Sequence, residues 1–194
     1  MTALHDDALA VLRDWRPPSD EQSALRDRYV THLSAQPDGM LRECYPDHLT
    51  ASTLVLSADR ERVLLTLHAK AQRWFQFGGH CEPADTTLAG AAEREAVEES
   101  GIAGLRVGPA PIQLSEHAVP FCHEDGGVHH LDVRFLAIAD DDVPAVSEES
   151  LDVRWWPVDG LPDDDLAPLV GLALQSTSSP GGGSSFAAAD HPSR

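Results

Sequence analysis

Three glutamates recur at helical spacing near the middle of the chain, within the run REAVEESG from Arg94 to Gly101. At about 100° per helical residue, Glu99 lies about 40° to one side of Glu95 and Glu98 about 60° to the other, so the three carboxylates share one face. Such close like charges repel each other. Because hard cations such as Mg²⁺ prefer oxygen ligands, the spacing predicts a divalent metal site, with a solvated acidic face as the alternative.

The residues before these glutamates favour the metal interpretation. Gly78-Gly79 would let the backbone approach a ligand closely. The loop that follows carries three polar side chains: His80, Glu82 and Asp85. Arg94 stands four residues before Glu98 and could orient that carboxylate without occupying its metal-facing oxygen. This succession of glycine pair, polar loop and carboxylate-lined helix is typical of a binding site rather than of an ordinary surface.

The sequence predicts the elements that would position these residues. Helices are expected at 3–15, at about 19–34, at 86–100 with Gly101 as a left-handed terminator, and at about 163–175. Strands are expected at 50–57, 62–68, 74–77, 110–118, 128–139 and 151–156. This order predicts an α/β fold in which helices cover both sides of a mixed sheet.

Composition divides the chain into three segments. An N-terminal helical extension at 1–44 precedes a domain at 45–175 that contains the predicted strands and the glutamate helix. Residues 176–194 are rich in Ser, Gly and Ala and are expected to form a disordered tail. The extension could cover the sheet, form a homodimer contact or cap a substrate pocket.

The run from Arg94 to Ile102 resembles the second half of the Nudix box, R-E-x-x-E-E-x-G followed by an aliphatic residue. Gly78-Gly79 resembles its opening glycines, and the segment GGHCEPAD resembles a variant found in a poorly characterised bacterial subgroup. The stretch from Gly79 to Arg94 is one residue longer than usual, and Asp85 stands near the expected glutamate. With the flanking strands and Trp155–Val158, the likeness extends over roughly 45–175. It implies a Nudix-like α/β/α sandwich with a mixed sheet.

The resemblance also implies a reaction. Glu95, Glu98 and Glu99 would hold one or more Mg²⁺ or Mn²⁺ ions, and water would cleave a phosphoanhydride bond in a nucleoside diphosphate linked to another group, X. Glu98 is one candidate for the general base. Glu148 and Glu149, just before the strand at 151–156, are the others, with a surface or cap role as their alternative.

Further residues receive supporting roles in this interpretation. Gly79, His80 and Arg73 are expected to contact substrate, although Arg73 could equally be a surface residue. Gly78, Arg94 and Gly101 are expected to shape the motif. A second, transition-metal site is conceivable with His80 and His117.

Composition restricts the partners. The chain has 194 residues, with 32 acidic and 14 basic ones, and this charge repels polyanions, so nucleic acid is disfavoured while a small phosphorylated ligand beside a bound cation is allowed. Three distant cysteines (Cys44, Cys81 and Cys122) indicate a reducing compartment. With no long apolar run and no secretory signal, we expect a cytoplasmic protein that does not enter a membrane.

Two other functions remain open from the sequence. One is a catalytically inactive Nudix-like domain that binds a nucleotide for regulation, although such a domain need not keep all three carboxylates. The other is an enzyme similar to isopentenyl diphosphate isomerase, in which a cysteine and a glutamate act on carbon. Cys81 is the residue that permits this last possibility.

Overall fold

A computed structural model describes residues 2–119, 126–140, 144 and 150–178. Over these residues the chain forms four α-helices, here α1 (Ala3–Asp14), α2 (Asp20–Ala35), α3 (Leu88–Ser100) and α4 (Ala167–Ser178), with a short 3₁₀ helix at Asp164–Leu166 before α4. None of the described helices is long and apolar enough to cross a bilayer.

The same residues form a seven-stranded mixed sheet. Its strands are β1 (Asp47–Ser57), β2 (Arg62–His68), β3 (Arg73–Phe75), β4 (Phe77–His80), β5 (Gln113–Ala118), β6 (His129–Ala139) and β7 (Ser150–Pro157). The main order is β3-β2-β1-β6-β5, with β4 paired to β1 and β7 paired to β2. β1 and β6 are parallel along their whole length, whereas the other pairs are antiparallel.

Helices cover both faces of this sheet, as predicted. On one face, α1, α2 and α3 share a single apolar core with β1, β5 and β6, which includes Leu12, Tyr29, Leu33, Leu49, Leu88, Leu131 and Phe135. On the other face, α4 packs against β1, β2 and β6 through Leu54, Leu56, Leu65, Leu136, Leu169 and Ala173. The alternation of side chains along β1 and β6 separates the two cores.

The predicted elements are present, with shifted ends. Predicted strand 74–77 is two strands, β3 and β4, that pair with different partners, β2 and β1. The C-terminal helix begins with the 3₁₀ turn and continues to Ser178, so the first three residues of the predicted tail are helical. The rest of that tail, 179–194, lies outside the described residues.

The N-terminal helices are joined to the sheet by polar contacts as well as by apolar packing. Gln22 of α2 is buried, and its side-chain amide donates to the carbonyl of Leu114 at 2.9 Å and accepts from the Leu114 N–H at 2.6 Å. Leu114 lies on β5, the last strand of the sheet, so Gln22 pairs with this edge as a further strand would. Of the three roles left open for the extension, the structure shows that it covers the sheet.

We expect the substitution Gln22→Ala to lower the free energy of unfolding by about 2–3 kcal/mol, because it leaves a buried N–H and a buried carbonyl without partners. Urea unfolding followed by circular dichroism would measure the change. Gln36→Ala is the matched control, since Gln36 is exposed at the end of α2. Equal transition midpoints for the two variants would contradict the role given to Gln22.

Candidate active site

Helix α3 carries the three glutamates and is fixed at both ends. The Thr87 hydroxyl accepts from the Gly90 N–H at 3.1 Å, and Asp7 of α1 accepts from the Leu88 N–H at 2.7 Å, which also places a negative charge at the positive end of the helix. Gly101 ends the helix with a φ of 68°, as predicted.

Alanines let this helix lie close to the sheet. Ala92 and Ala96 are fully buried, and Ala89 is partly buried. Thr53 of β1 donates its hydroxyl to the Ala92 carbonyl at 3.1 Å, a direct contact between strand and helix backbone. The glutamates on the neighbouring face are therefore held beside β4, where the glycine pair lies.

The glycine pair lets carboxylates meet backbone. A Cβ on Gly79 would lie 2.8 Å from the carboxyl carbon of Glu95, so a side chain there would displace the glutamate. Gly78 has a φ of +152°, and its N–H donates to Glu99 Oε2 at 3.1 Å. A Cβ on Gly78 would also lie 2.4 Å from Cβ of Ser52 on β1. Position 78 therefore requires glycine, whereas a side chain at position 79 would displace the Glu95 carboxyl group; the substrate contact predicted for Gly79 stays a prediction.

Arg94 lies between Glu95 and Glu98 and bridges their carboxylates. Its Nη1 donates to Glu95 Oε1 at 3.0 Å and to Glu98 Oε2 at 3.2 Å, while Nη2 donates to the His80 carbonyl at 3.0 Å. Burial alone lowers the pKa of this guanidinium, but the hydrogen bond to Asp85 and the charge of Glu95 raise it above its ordinary value. Arg94 therefore stays charged and orients two glutamates, as the sequence predicted for Glu98.

Asp85 has a clear structural partner. Both of its carboxylate oxygens accept from Arg94, from Nε at 3.2 Å and from Nη2 at 3.1 Å, and Oδ2 also accepts from the Glu82 N–H at 2.8 Å. Its side chain is only 9 % exposed. Asp85 thus fixes the arginine that orients the glutamates, and it closes the loop that is one residue longer than the family spacing.

The donor set suits a hard divalent cation. Three carboxylates come from one turn of α3, and Glu98 is 59 % exposed while Glu95 is 17 % exposed, so the group runs from the protein interior to solvent. Arg94 donates to one oxygen each of Glu95 and Glu98, and the Gly78 N–H donates to one oxygen of Glu99. The chemistry of these three side chains fits such an ion, and their role as its ligands stays a prediction.

Other predicted site residues have different surroundings. Arg73 pairs with two carboxylates near the start of α4, Asp163 and Asp165, and its predicted substrate contact stays a prediction. Glu148 and Glu149 lie outside the described residues.

His80 has the most informative position. Its backbone carbonyl supports Arg94, but its side chain leaves the face that carries Glu95, because neighbouring residues of a strand point to opposite faces. There its ring lies 5.1 Å from the ring of His48 and 4.9 Å from that of His130. The predicted partner, His117, is beside His130 at 5.6 Å instead. His80 is thus grouped with two histidines other than the predicted one.

Sequence reasoning missed His48 altogether. The signal lies in the register of the sheet, since His48 is directly opposite His130 on β6 and two residues from Thr50, which is opposite His80 on β4. Nothing local to residue 48 indicates this grouping.

Cys81 is not an activated nucleophile. It is 4 % exposed, and burial raises the pKa of its thiol to about 12. The carboxylates of Asp85 and Glu95 add to this rise, so the thiolate that attacks electrophiles is scarce near neutral pH. The structure therefore offers no support for cysteine chemistry at this position.

Comparison with known proteins agrees with this arrangement. The NUDIX domain family model matches residues 46–172. A NUDIX-family hydrolase from Clostridium perfringens is similar in structure, with a TM-score of 0.52, 22 % identity, and coverage of 66 % of this chain and 96 % of its own. E. coli dihydroneopterin triphosphate pyrophosphohydrolase has a TM-score of 0.54 and 15 % identity, with coverage of 66 % and 95 %.

The NUDIX domain of Shewanella oneidensis NrtR, solved with ADP ribose, has a TM-score of 0.53 and 17 % identity, with coverage of 67 % of this chain and 88 % of its own. At these identities the structures show the fold that the chains share. No curated protein sequence matches this chain. The family match spans the glycine pair, the Arg94 network and the three glutamates, and the chain therefore belongs to the Nudix family.

Proposed function

We propose that this protein hydrolyses a phosphoanhydride bond in a small nucleoside-diphosphate-X compound, with Mg²⁺ or Mn²⁺ held by Glu95, Glu98 and Glu99. The observation that carries the proposal is the meeting of α3 with the glycine pair. Glu95 lies against Gly79, and Glu99 accepts from the Gly78 N–H. Glu95 and Glu98 are oriented by one arginine and Glu99 by a backbone N–H, and carboxylates held in this way favour a site over a solvated surface.

A divalent ion held by these glutamates would supply positive charge to the diphosphate and would make a water molecule more acidic. The chain's own residues orient the glutamate carboxylates. Arg94 donates to Glu95 and Glu98, and Asp85 accepts from Arg94, so two of the carboxylates are oriented through one guanidinium. The N–H of Gly78 holds Glu99 in the same group.

A proton acceptor completes the proposal. The Glu98 side chain is exposed, at 59 %, whereas Glu95 and Glu99 are half-buried, and Arg94 donates to it. It is therefore placed to take a proton from an attacking water. Glu148 and Glu149 keep their predicted role as alternative bases, because they lie outside the described residues.

The charge of the chain supports a small substrate. With a formal charge of −18, the protein repels long polyanions, whereas a diphosphate neutralised by a divalent ion carries little net charge. We propose a cytoplasmic protein on the composition alone. The group X is best sought by direct assay, with ADP-ribose, dinucleoside polyphosphates, nucleotide sugars and oxidised nucleoside triphosphates as the panel.

A domain that binds a nucleotide without hydrolysing it is the second candidate. The domain of NrtR solved with ADP ribose is a Nudix domain of similar fold. The two functions separate in one experiment, since calorimetric binding of ADP-ribose with no released nucleoside monophosphate in Mg²⁺ or Mn²⁺ would favour the binding role.

We expect Glu98→Gln to lower kcat by about 10²–10⁴-fold on the substrate found in that panel, the range for loss of a general base. Glu99→Gln should raise the concentration of Mg²⁺ needed for half-maximal turnover, because it removes one charged ligand. Both effects are measured by phosphate or nucleoside monophosphate release at several metal concentrations.

The matched control is Glu93→Gln, an equal change on the opposite face of α3, where Glu93 accepts from the Val107 N–H and pairs with Arg106. Its turnover should equal that of the unaltered protein. Full activity of a folded Glu98→Gln, Glu99→Gln double variant would refute the proposed metal site.

We expect Gly79→Ala to abolish metal-stimulated turnover, because its Cβ would occupy the space of the Glu95 carboxyl group. The cost in unfolding free energy should be small, because the crowded atoms are the end of the Glu95 side chain, which can move aside. Gly171→Ala in α4 is the control, since a Cβ there meets no atom within 4 Å and alanine favours helix by about 1 kcal/mol. Steady-state assays and urea unfolding measure both effects, and normal turnover by Gly79→Ala would show that Glu95 is dispensable.

We expect Cys81→Ala to keep turnover within about twofold while losing roughly 1 kcal/mol of stability from a small cavity, because the buried thiol takes no part in the reaction. Turnover and thermal unfolding are measured on the same preparation. Loss of activity in a variant that unfolds normally would support cysteine chemistry. It would also favour the isomerase-like alternative.

A further inference from the structure

Three histidines meet on the sheet face opposite α3, at the end that α4 does not cover. They come from three adjacent strands, with His48 on β1, His130 on β6 and His80 on β4. The pairing of His48 with His130 and of Thr50 with His80 brings them to one side of the sheet. Because β1 is hydrogen-bonded to both neighbours, the backbone fixes their relative positions before the side chains are considered.

The three rings form a nearly equilateral triangle. Their centres are 5.1 Å apart for His48 and His80, 5.0 Å for His48 and His130, and 4.9 Å for His80 and His130. Each offers a ring nitrogen, and these nitrogens lie within 4.8 Å of one another. Zinc–nitrogen bonds of about 2.0 Å at tetrahedral angles would place three bound imidazole centres about 5 Å apart. The spacing of the rings thus matches that of a three-histidine metal site.

The nitrogen atoms have the chemistry that a metal needs. Nδ1 of His48 lies 3.1 Å from the Cys44 carbonyl, which can only accept, so this nitrogen carries the proton and Nε2 carries the lone pair. Such a bond to the second ring nitrogen is the usual way of orienting a ligand histidine. Nε2 of His130 is buried and has no hydrogen-bond partner among the described residues.

Burial also keeps these rings neutral. His48 is 1 % exposed. Burial, followed by the influence of His48, lowers the pKa of His80 to about 4, and burial followed by the influence of His80 lowers the pKa of His130 to about 3. Three imidazoles this close would repel if protonated. In their neutral form they are the ligands that transition metals prefer to water, whereas Mg²⁺ prefers oxygen.

We propose that His48, His80 and His130 form a second metal site, which binds a transition-metal ion of the Zn²⁺ class on the opposite face of β4 from the box glutamates. Three protein ligands leave one position open, the arrangement of zinc sites that keep a water or ligand. The bound ion would tie β4 to β1 and to β6, and so would fix the strand that carries the glycine pair. This proposal does not depend on the hydrolase proposal.

A metal-binding experiment tests it without using turnover. The full-length protein is stripped with a chelator and titrated with Co²⁺, whose visible absorption reports tetrahedral nitrogen ligation, and then with Zn²⁺ against a chromophoric chelator. Excess Mg²⁺ is present to occupy the carboxylates. We expect one equivalent of Zn²⁺ per chain to displace Co²⁺ and to raise the melting temperature.

Variants assign the ion to its ligands. His130→Asn and His80→Asn should each weaken Zn²⁺ binding by more than about 100-fold, the upper range for disturbing even the partners of ligand residues. His129→Asn is the matched control, because His129 directly precedes His130 on the same strand and its Nδ1 lies 3.2 Å from Asp47 Oδ1 instead. It should leave Zn²⁺ affinity unchanged.

A second set of variants separates the two sites. The triple change of Glu95, Glu98 and Glu99 to Gln should leave Zn²⁺ affinity and stoichiometry as they are, whether or not the protein is a hydrolase. Loss of Zn²⁺ in that variant would place the ion at the carboxylates and overturn the proposal. Circular dichroism of the metal-free forms shows whether His130→Asn is folded. If the folded variant binds Zn²⁺ as tightly as the unaltered protein, the proposal is also overturned.

Discussion

The close contact between Glu95 and the backbone of Gly79 is the constraint on which the rest of the structure depends. A side chain at position 79 would push the Glu95 carboxyl group away, and the contact lies where α3 meets β4, at the turn that carries all three glutamates. Arg94 can then reach both Glu95 and the His80 carbonyl. Helix, loop and strand are therefore joined through one guanidinium, and the acidic face is ordered rather than left to mutual repulsion.

Strand β4 is short, and a candidate metal site lies on each of its faces. Gly79 serves the carboxylate side, and His80, the next residue, serves the imidazole side. Oxygen ligands on one face and nitrogen ligands on the other suit different classes of ion, so two metals would not compete for one place. β1 connects these sets, because it pairs with β4 and with β6 along its first half.

The parts that the sequence predicted are those set by local patterns. The glutamate face, the glycine pair and the Gly101 terminator follow from helical spacing and from backbone preferences, and all are found where expected. The cluster around His48 was not predicted, because it depends on a parallel pairing of strands 82 residues apart in the chain, as for His48 with His130. Local patterns do not specify such a register.

The contacts of the N-terminal helices also depend on segments that are distant in the chain, so local patterns do not predict them. An aspartate at position 7 is an ordinary surface residue by its neighbours, and only the packing of α1 on α3 brings it to the Leu88 N–H. The sequence shows the extra residue in the loop before Arg94, but the bidentate pairing of Asp85 with that arginine is a property of the folded loop. The assignment of Glu148 and Glu149 stays a prediction.

The packing of α1 and α2 bears on what counts as the smallest stable unit of this protein. Trimming the chain to the family-matched segment 46–172 would remove Leu12, Tyr29 and Leu33 from the shared core and leave Leu114 on the edge strand β5 without its partner Gln22. Such a fragment would contain the whole Nudix motif, yet it would expose apolar surface and an unpaired strand edge to other molecules. Autonomy of folding and completeness of the motif are thus separate properties in this chain.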